Sequence, residues 1–302
     1  MQRVGVALST GDLRGVFAHT GFLLALDELG IAYQAMAGSS AGAIVAAIVG
    51  SGKPAREFAE WLNGLKVEDY WSKDSPWTIF YHLIVKAGRG YTGLVSTDRL
   101  EGTINGLLNA KTFEACPIPI YLVATNITKG AKEVFHSGEL APRAVASAAI
   151  PALMKAKRIG ESYYVDGGVY ELTPRSTICC REKLDVLIVN QIPSSFDRFK
   201  GDNRFLQERW SLMHLVGRVL DAIYEKEIVA EGKEITACPC GCAARIITLA
   251  PPLDPMDRLK PQEGMRLLRQ GYEETIRRLP GLLKRLAEGS APPIPKAIIP
   301  CD

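Results

Sequence analysis

Residues 36 to 44 read Met-Ala-Gly-Ser-Ser-Ala-Gly-Ala-Ile, which sets Ser40 at the centre of a Gly-x-Ser-x-Gly pentapeptide between an apolar run and a helix-forming run. That order predicts a strand, a sharp turn and a helix, with the serine hydroxyl held out at the N-terminus of the helix. A turn this tight leaves no room for side chains at Gly38 and Gly42. The first N–H groups of the helix and the positive end of its dipole then face any negative charge that develops beside Ser40. Chance alone produces the pentapeptide often, so its meaning depends on the rest of the chain.

The flanking segments support the same geometry. Residues 3–8 alternate as a strand, and a polar loop follows from Ser9 to Gly15. A helix then runs through Phe22, Leu23, Leu26 and Leu29 and stops at Gly30. Residues 33–37 lead into the turn, and residues 41–49 form the helix behind it. Strand, loop, helix, strand, turn and helix in this order imply parallel strands joined by right-handed crossovers. Further along, Asp98 with Glu101 marks a helix N-cap, residues 118–127 read as a buried strand, and residues 141–149 as a small-residue helix cut at Pro151. Tyr163-Tyr164-Val165 is a short strand entering Asp166-Gly167-Gly168, and residues 185–191 form another strand. Phe205, Leu212, Val216, Val219, Ile223 and Val229 fall at helical spacing; residues 246–249 read as a last strand and 263–279 as a last helix, broken by Pro280. Residues 291–302 read as an irregular tail. With no internal repeat and no long linker, residues 1–302 are expected to form one α/β domain.

A serine nucleophile needs a base. The histidines are His19, His82, His136 and His214, and only His214 lies late enough for a Ser…Asp…His order. His214 sits among Leu212, Met213, Leu215 and Val216 and reads as part of a helix face, and His19 as a structural residue. Asp166 is the better base: it ends a strand, where ligand sites of open α/β sheets lie.

Taken together, Ser40 in Gly-Ser-Ser-Ala-Gly, Asp166 in Asp-Gly-Gly, the loop Leu8-Ser9-Thr10-Gly11-Asp12-Leu13-Arg14-Gly15 and the segment Ala146-Ser147-Ala148-Ala149-Ile150-Pro151 resemble the patatin-like phospholipases. The similarity covers residues 4–180, with 181–290 supplying further strands and helices. The resemblance implies a three-layer α/β/α sandwich with a mostly parallel sheet. It implies a Ser40–Asp166 dyad without histidine, an oxyanion hole from Gly11, Asp12 and Leu13, and a supporting frame of Arg14, Gly15, Gly38, Gly42, Gly167 and Gly168. The implied activity is hydrolysis of fatty-acyl esters of lipids through an acyl-enzyme, without a cofactor. A non-catalytic lipid-binding protein and an acyltransferase are the alternatives on the same fold. This chain departs from the family at Thr10 and Asp12, where glycines are usual, and at Glu171, Lys155 and Lys157. An Asp12 carboxylate beside an oxyanion is tolerable only if turned towards Arg14 or solvent.

Residues 66–96 carry Tyr70, Trp71, Trp77, Phe80, Tyr81 and Tyr91 with little clear periodicity, and read as core packing or as a cap that meets lipid. Trp77, Phe80 and Lys155 are candidate substrate contacts, and Lys155, Lys157 and Arg158 read as solvated surface or a phosphate-facing rim. The basic residues of the last helix read as a solvated face. Of seven cysteines, Cys238, Cys240 and Cys242 form Cys-Pro-Cys-Gly-Cys. Zinc sites usually space paired cysteines by two to four residues and need a fourth ligand, so structural or reduced surface cysteines without metal are expected here, with metal or redox use as the alternative. A net charge of +3 is too small to imply a nucleic-acid partner, so none is expected, and it is compatible with a weakly basic patch for anionic lipid or an acidic substrate. Without a signal-like N-terminus or a run of ~18 apolar residues, the chain reads as cytoplasmic or peripheral at a membrane.

Overall fold

The computed structural model describes residues 2–72, 74–87, 89–179, 181–193, 234–238 and 240–288. The helical pattern read over residues 205–229, with His214, and the tail 291–302 lie outside the described residues.

In chain order, β1 (Val4–Leu8) leads into α1 (Asp12–Glu28), and β2 (Ala35–Ser39) into α2 (Ala41–Gly50). Helices α3 (Ala55–Asn63), α4 (Val67–Tyr70) and α5 (Pro76–Phe80), with a π-helical turn at Tyr81–Val85, precede β3 (Gly93–Val95) and α6 (Asp98–Leu107). Then come β4 (Ile120–Asn126), β5 (Ala131–Phe135), α7 (Leu140–Ala148), β6 (Ala152–Met154), β7 (Lys157–Ile159) and β8 (Ser162–Val165). The described chain closes with α8 (Arg175–Cys179), β9 (Val186–Asn190), β10 (Ile235–Ala237), β11 (Arg245–Leu249) and α9 (Gly264–Ala287).

The main sheet runs β10-β11-β9-β1-β2-β4-β8-β7, with β5 also on β4. Strands β11, β9, β1, β2 and β4 pair in parallel, as the crossover argument predicts, while β10, β5, β8 and β7 join antiparallel. The centre of the sheet is thus parallel, as expected, and its flanks are antiparallel. Side chains alternate across it. Val6, Leu8 and Met36 enter the large core with α1, α2, α3 and α9, whereas Ala7, Ala35 and Ala37 face a smaller core built on Ile178, Cys179 and Leu187. Helix α2 is apolar on all sides, and only Ile44 of its residues escapes full burial.

Three boundaries differ from the sequence reading. Helix α1 starts at Asp12, inside the expected loop, because the Gly15 N–H already donates to the Gly11 carbonyl at 2.8 Å. The N-cap of α6 is Thr97, with Asp98 in its first turn. Helix α9 continues through Pro280, which sits on the exposed face while Leu279 and Leu282 bury beside it. The lost backbone bond leaves a carbonyl that water can satisfy, so apolar burial carries the helix on.

Candidate active site

Strand β4 accounts for the meeting of the two halves of the site. Its residues from Leu122 to Asn126 pair with β5 along one edge, so β2 and β8 must share the other. Strand β2 runs parallel to β4 and ends with Ser39 opposite Val123; β8 runs antiparallel and ends with Val165 opposite Thr125. The next residues are Ser40 and Asp166. The two strands approach head-on and deliver these side chains to one point beside Ala124.

Ser40 Oγ donates to Asp166 Oδ2 at 2.6 Å, and both residues are only 5% exposed. Ser40 has φ 54° and ψ −118°, a sparsely populated conformation for a residue with a Cβ, and it caps α2. The turn is held by close approach. A Cβ on Gly38 would collide with the Gly42 carbonyl, and one on Gly42 with that of Leu8. Ser147 supports Ser40 from α7: its hydroxyl accepts the Ser40 N–H at 2.9 Å and donates to the Val123 carbonyl.

Asp166 is fixed from three sides. Its Oδ1 accepts the Gly168 N–H at 2.8 Å, its N–H donates to the Ala149 carbonyl at 2.9 Å, and its carbonyl accepts from Thr125 Oγ1 at 2.9 Å. Gly167 packs so closely on the Val123 carbonyl that a Cβ there would collide with it. Burial pushes the Asp166 carboxyl up to about 7, opposed by the hydrogen bonds from Ser40 and Gly168 and reinforced by the Asp12 charge.

The glycine-poor loop lies beside Ser40. Asp12 has φ 54°, a left-handed conformation that aspartate tolerates better than most residues. Its carboxylate does not face Arg14. Oδ2 pairs with Arg258 at 2.7 Å, and Oδ1 accepts the Leu13 N–H at 2.8 Å. The Leu13 donor is thus already engaged by a carboxylate, while the Asp12 and Ala41 N–H groups open α1 and α2 and have no helical carbonyl to bond. Arg14 turns the other way, and its Nη2 donates to the Pro193 carbonyl at 2.8 Å. Gly15 lies under Ala41, where a Cβ would be 2.9 Å from the alanine methyl.

His19 braces the loop from inside. Its Nε2 lies 2.8 Å from the Ser9 carbonyl and Nδ1 3.0 Å from Asn190 Nδ2. Only a neutral ring with Nε2 protonated donates to the first and accepts from the second. Complete burial lowers its pKa to about 4 and keeps it neutral. Glu171, at a family departure, accepts from Thr177 Oγ1 at 3.1 Å and Ser176 Oγ at 3.3 Å at the start of α8, and pairs with Lys132.

Ser40 opens into an apolar cavity whose walls include Ile44 and Ile48 of α2, Phe58 and Trp61 of α3, Tyr70, Trp71, Ile104 and Met154, with Asp12 and Arg258 at the rim. Trp77, Phe80 and Lys155 do not line it. Trp77 is 80% exposed, Phe80 is also exposed, and the Lys155 ammonium is held by Asp74 at 2.9 Å. The aromatic lining comes instead from Trp61, Tyr70 and Trp71. Ser147 stood within a segment whose resemblance was noted, but its bracing role has no sequence signature. Arg258 could not have been found either, since nothing local marks a residue so distant in the chain as the partner of Asp12. Among the described residues, the one group with metal-ligand spacing is a set of cysteines tied to the smaller core, on the other side of the sheet.

A family profile described as patatin-like phospholipase matches residues 6–176. An uncharacterised NTE family protein of Mycobacterium tuberculosis is 29% identical over 176 residues, covering 58% of this chain and 45% of that protein. A second from the same organism is 27% identical over 194 residues, covering 62% of this chain and 30% of its own length. The matched region thus spans less than half of these curated relatives. Human GIVD cytosolic phospholipase A2 superposes with a TM-score of 0.51 at 11% identity, covering 95% of this chain and 62% of that one, a likeness of fold. With more than half of its length matched by the family profile, the chain belongs to the patatin-like phospholipase family.

Proposed function

We propose that the protein is a serine acyl hydrolase that cleaves fatty-acyl esters of lipids. The observation that carries this reading is the buried 2.6 Å hydrogen bond from Ser40 Oγ to Asp166 Oδ2, with Ser40 on the wall of an apolar cavity. In the proposed reaction the acyl chain lies along Ile44, Ile48 and Phe58, with the ester carbonyl over Ser40. Asp166 takes the Ser40 proton as Oγ attacks the carbonyl carbon. The oxyanion that forms is met by the N–H groups of Asp12 and Ala41 and by the positive end of α2. Collapse breaks the ester bond, and Asp166 returns its proton to the leaving alkoxide. Water, deprotonated by Asp166, then attacks the acyl-enzyme; the bond from Ser40 Oγ to the acyl carbon breaks, Asp166 returns the proton to Oγ, and the fatty acid leaves. A desolvated carboxylate with a raised pKa is a far better base than one in water.

Lipid as the substrate class is supported by the cavity and by an exposed stripe next to it in sequence. Trp77, Phe80, Tyr81, Ile84 and Val85 are all exposed, at intervals that place them on one side of a helical segment. Among the described residues no helix is long and apolar enough to cross a membrane. The stripe suits contact with one leaflet, its indole and phenyl rings at the headgroup level.

Ser40→Ala and Asp166→Asn should each lower hydrolysis of a short-chain ester by roughly 10³-fold or more with an unchanged circular-dichroism spectrum, and the double variant should be little worse. Near-normal turnover in folded Asp166→Asn would refute the dyad.

A further inference from the structure

Cys179 ends α8, and Cys238, Cys240 and Cys242 lie between β10 and β11. Their four sulfur atoms all lie within 4.8 Å of one another. Cys179 Sγ is 2.6 Å from Cys238 Sγ and 3.5 Å from Cys240 Sγ, and the latter two are 2.8 Å apart. Cys179 and Cys238 are fully buried and Cys240 nearly so. Alternate residues of an extended strand share a face, but a straight strand would hold the first and third of these cysteines about 13 Å apart. Gly241, with φ +78°, bends the chain, and its N–H donates to the Cys238 carbonyl at 3.0 Å. The bend gathers the three sulfurs, and Cys179 arrives from α8 as the fourth that the sequence alone did not supply.

We propose that these four cysteines bind a single zinc ion as thiolates and so staple the β10–β11 hairpin to α8. A tetrahedral ion with Zn–S bonds of about 2.3 Å holds its sulfurs about 3.8 Å apart, so the pairs at 2.6 and 2.8 Å need open by only about 1 Å to receive it. A cluster of several irons would spread its thiolates more widely than 4.8 Å. One disulfide would use only two of four gathered sulfurs. An all-sulfur set selects soft ions, and four protein ligands leave no open position for water or substrate, so the ion is structural. Binding forms four Zn–S bonds, releases the thiol protons to solvent and changes no oxidation state. The position explains the need: β10 is a three-residue strand at the edge of the sheet, and the ion would tie it to residue 179, 59 positions earlier. A cross-link of that span restricts the unfolded chain and adds metal-binding energy to the folded one. The inference stands independently of the proposed hydrolysis.

The test is metal analysis of the whole chain, purified under reducing conditions without a metal-affinity step. Mass spectrometry of the metals should find about one zinc per chain, and cobalt exchanged into the site should give the visible bands of tetrahedral thiolate-bound Co(II). Cys240→Ser should lose the metal and melt several degrees lower, whereas Cys116→Ser, outside the cluster, should keep it. Should Cys240→Ser fail to fold, the cobalt spectrum of the unaltered chain decides. Absence of stoichiometric metal, several irons per chain, or a Cys179–Cys238 disulfide in peptide mapping would each overturn the assignment.

Discussion

The burial of Asp166, with a smaller contribution from the Asp12 charge, sets how the proposed catalyst responds to pH. Burial raises its pKa to about 7, so the carboxylate that must accept the Ser40 proton is scarce in acid. The expected kcat/KM therefore rises with pH through about 7 and levels off above it. Asp12 contributes to that rise through its own negative charge. Asp12→Asn should move the acid limb to lower pH, and Arg258→Ala, which strips Asp12 of its counter-charge, should move it higher. Both shifts are readable in pH–rate profiles on a soluble ester; a limb that moves the opposite way in either variant would contradict the part given to Asp12. The geometry of this pair was only half legible in the sequence. An aspartate in place of a glycine is visible in the sequence as a problem beside an oxyanion, with Arg14 or solvent as the expected direction; the side chain is part-exposed, but its partner is Arg258. Arg14 instead holds the Pro193 carbonyl, and tertiary folding brings Arg258 across.

The elements most legible in the sequence are those whose own periodicity and burial agree. Strands β1, β2, β4 and β9 are apolar and central, and α2 follows directly from its glycine-bounded turn. Strands β3, β5, β6, β7 and β10 were not legible. Each has three to five residues and depends on a neighbour for its pairing, so no local pattern announces it. The contact between α1 and α9 is of the same kind. A Cβ on Gly21 would collide with the Leu268 carbonyl, and one on Gly271 with that of Ala18, so the two helices meet backbone to backbone. The Tyr272 hydroxyl adds a hydrogen bond to Glu28. Gly271→Leu should destabilise the protein by about 1–3 kcal/mol or more, because neither helix can retreat without opening the core around Phe17 and Leu267. Gly281→Ala, on the same helix with open space around it, is the control, expected to melt no lower than the unaltered chain. A Gly271→Leu variant as stable as Gly281→Ala would show that the close crossing does not govern the site.

At the scale of the molecule, β4 brings Ser40 and Asp166 together, α2 and α3 shape the apolar cavity, and Trp77, Phe80, Tyr81, Ile84 and Val85 form an exposed apolar stripe. The α/β architecture and the pairing of Ser40 with Asp166 follow from four short motifs. The stripe did not, because the aromatic residues of the whole 66–96 stretch mask its regular spacing. If the stripe docks on a bilayer, Trp77→Ala with Phe80→Ala should cut hydrolysis of phospholipid vesicles at least several-fold while leaving a soluble short-chain ester unaffected. Tryptophan emission should shift to the blue when vesicles are added to the unaltered protein and less so in the variant. Equal losses on both substrates would assign the segment to packing.

The central claim is that Ser40 is a nucleophile activated by Asp166, and covalent trapping tests it most directly. A fluorophosphonate phosphonylates a serine only when that serine is activated. Incubation of the folded protein with such a probe, followed by peptide mass spectrometry, should place one adduct on Ser40, with labelling strongly slowed in Asp166→Asn. A folded protein that takes no label, or takes it on another residue, would contradict the account.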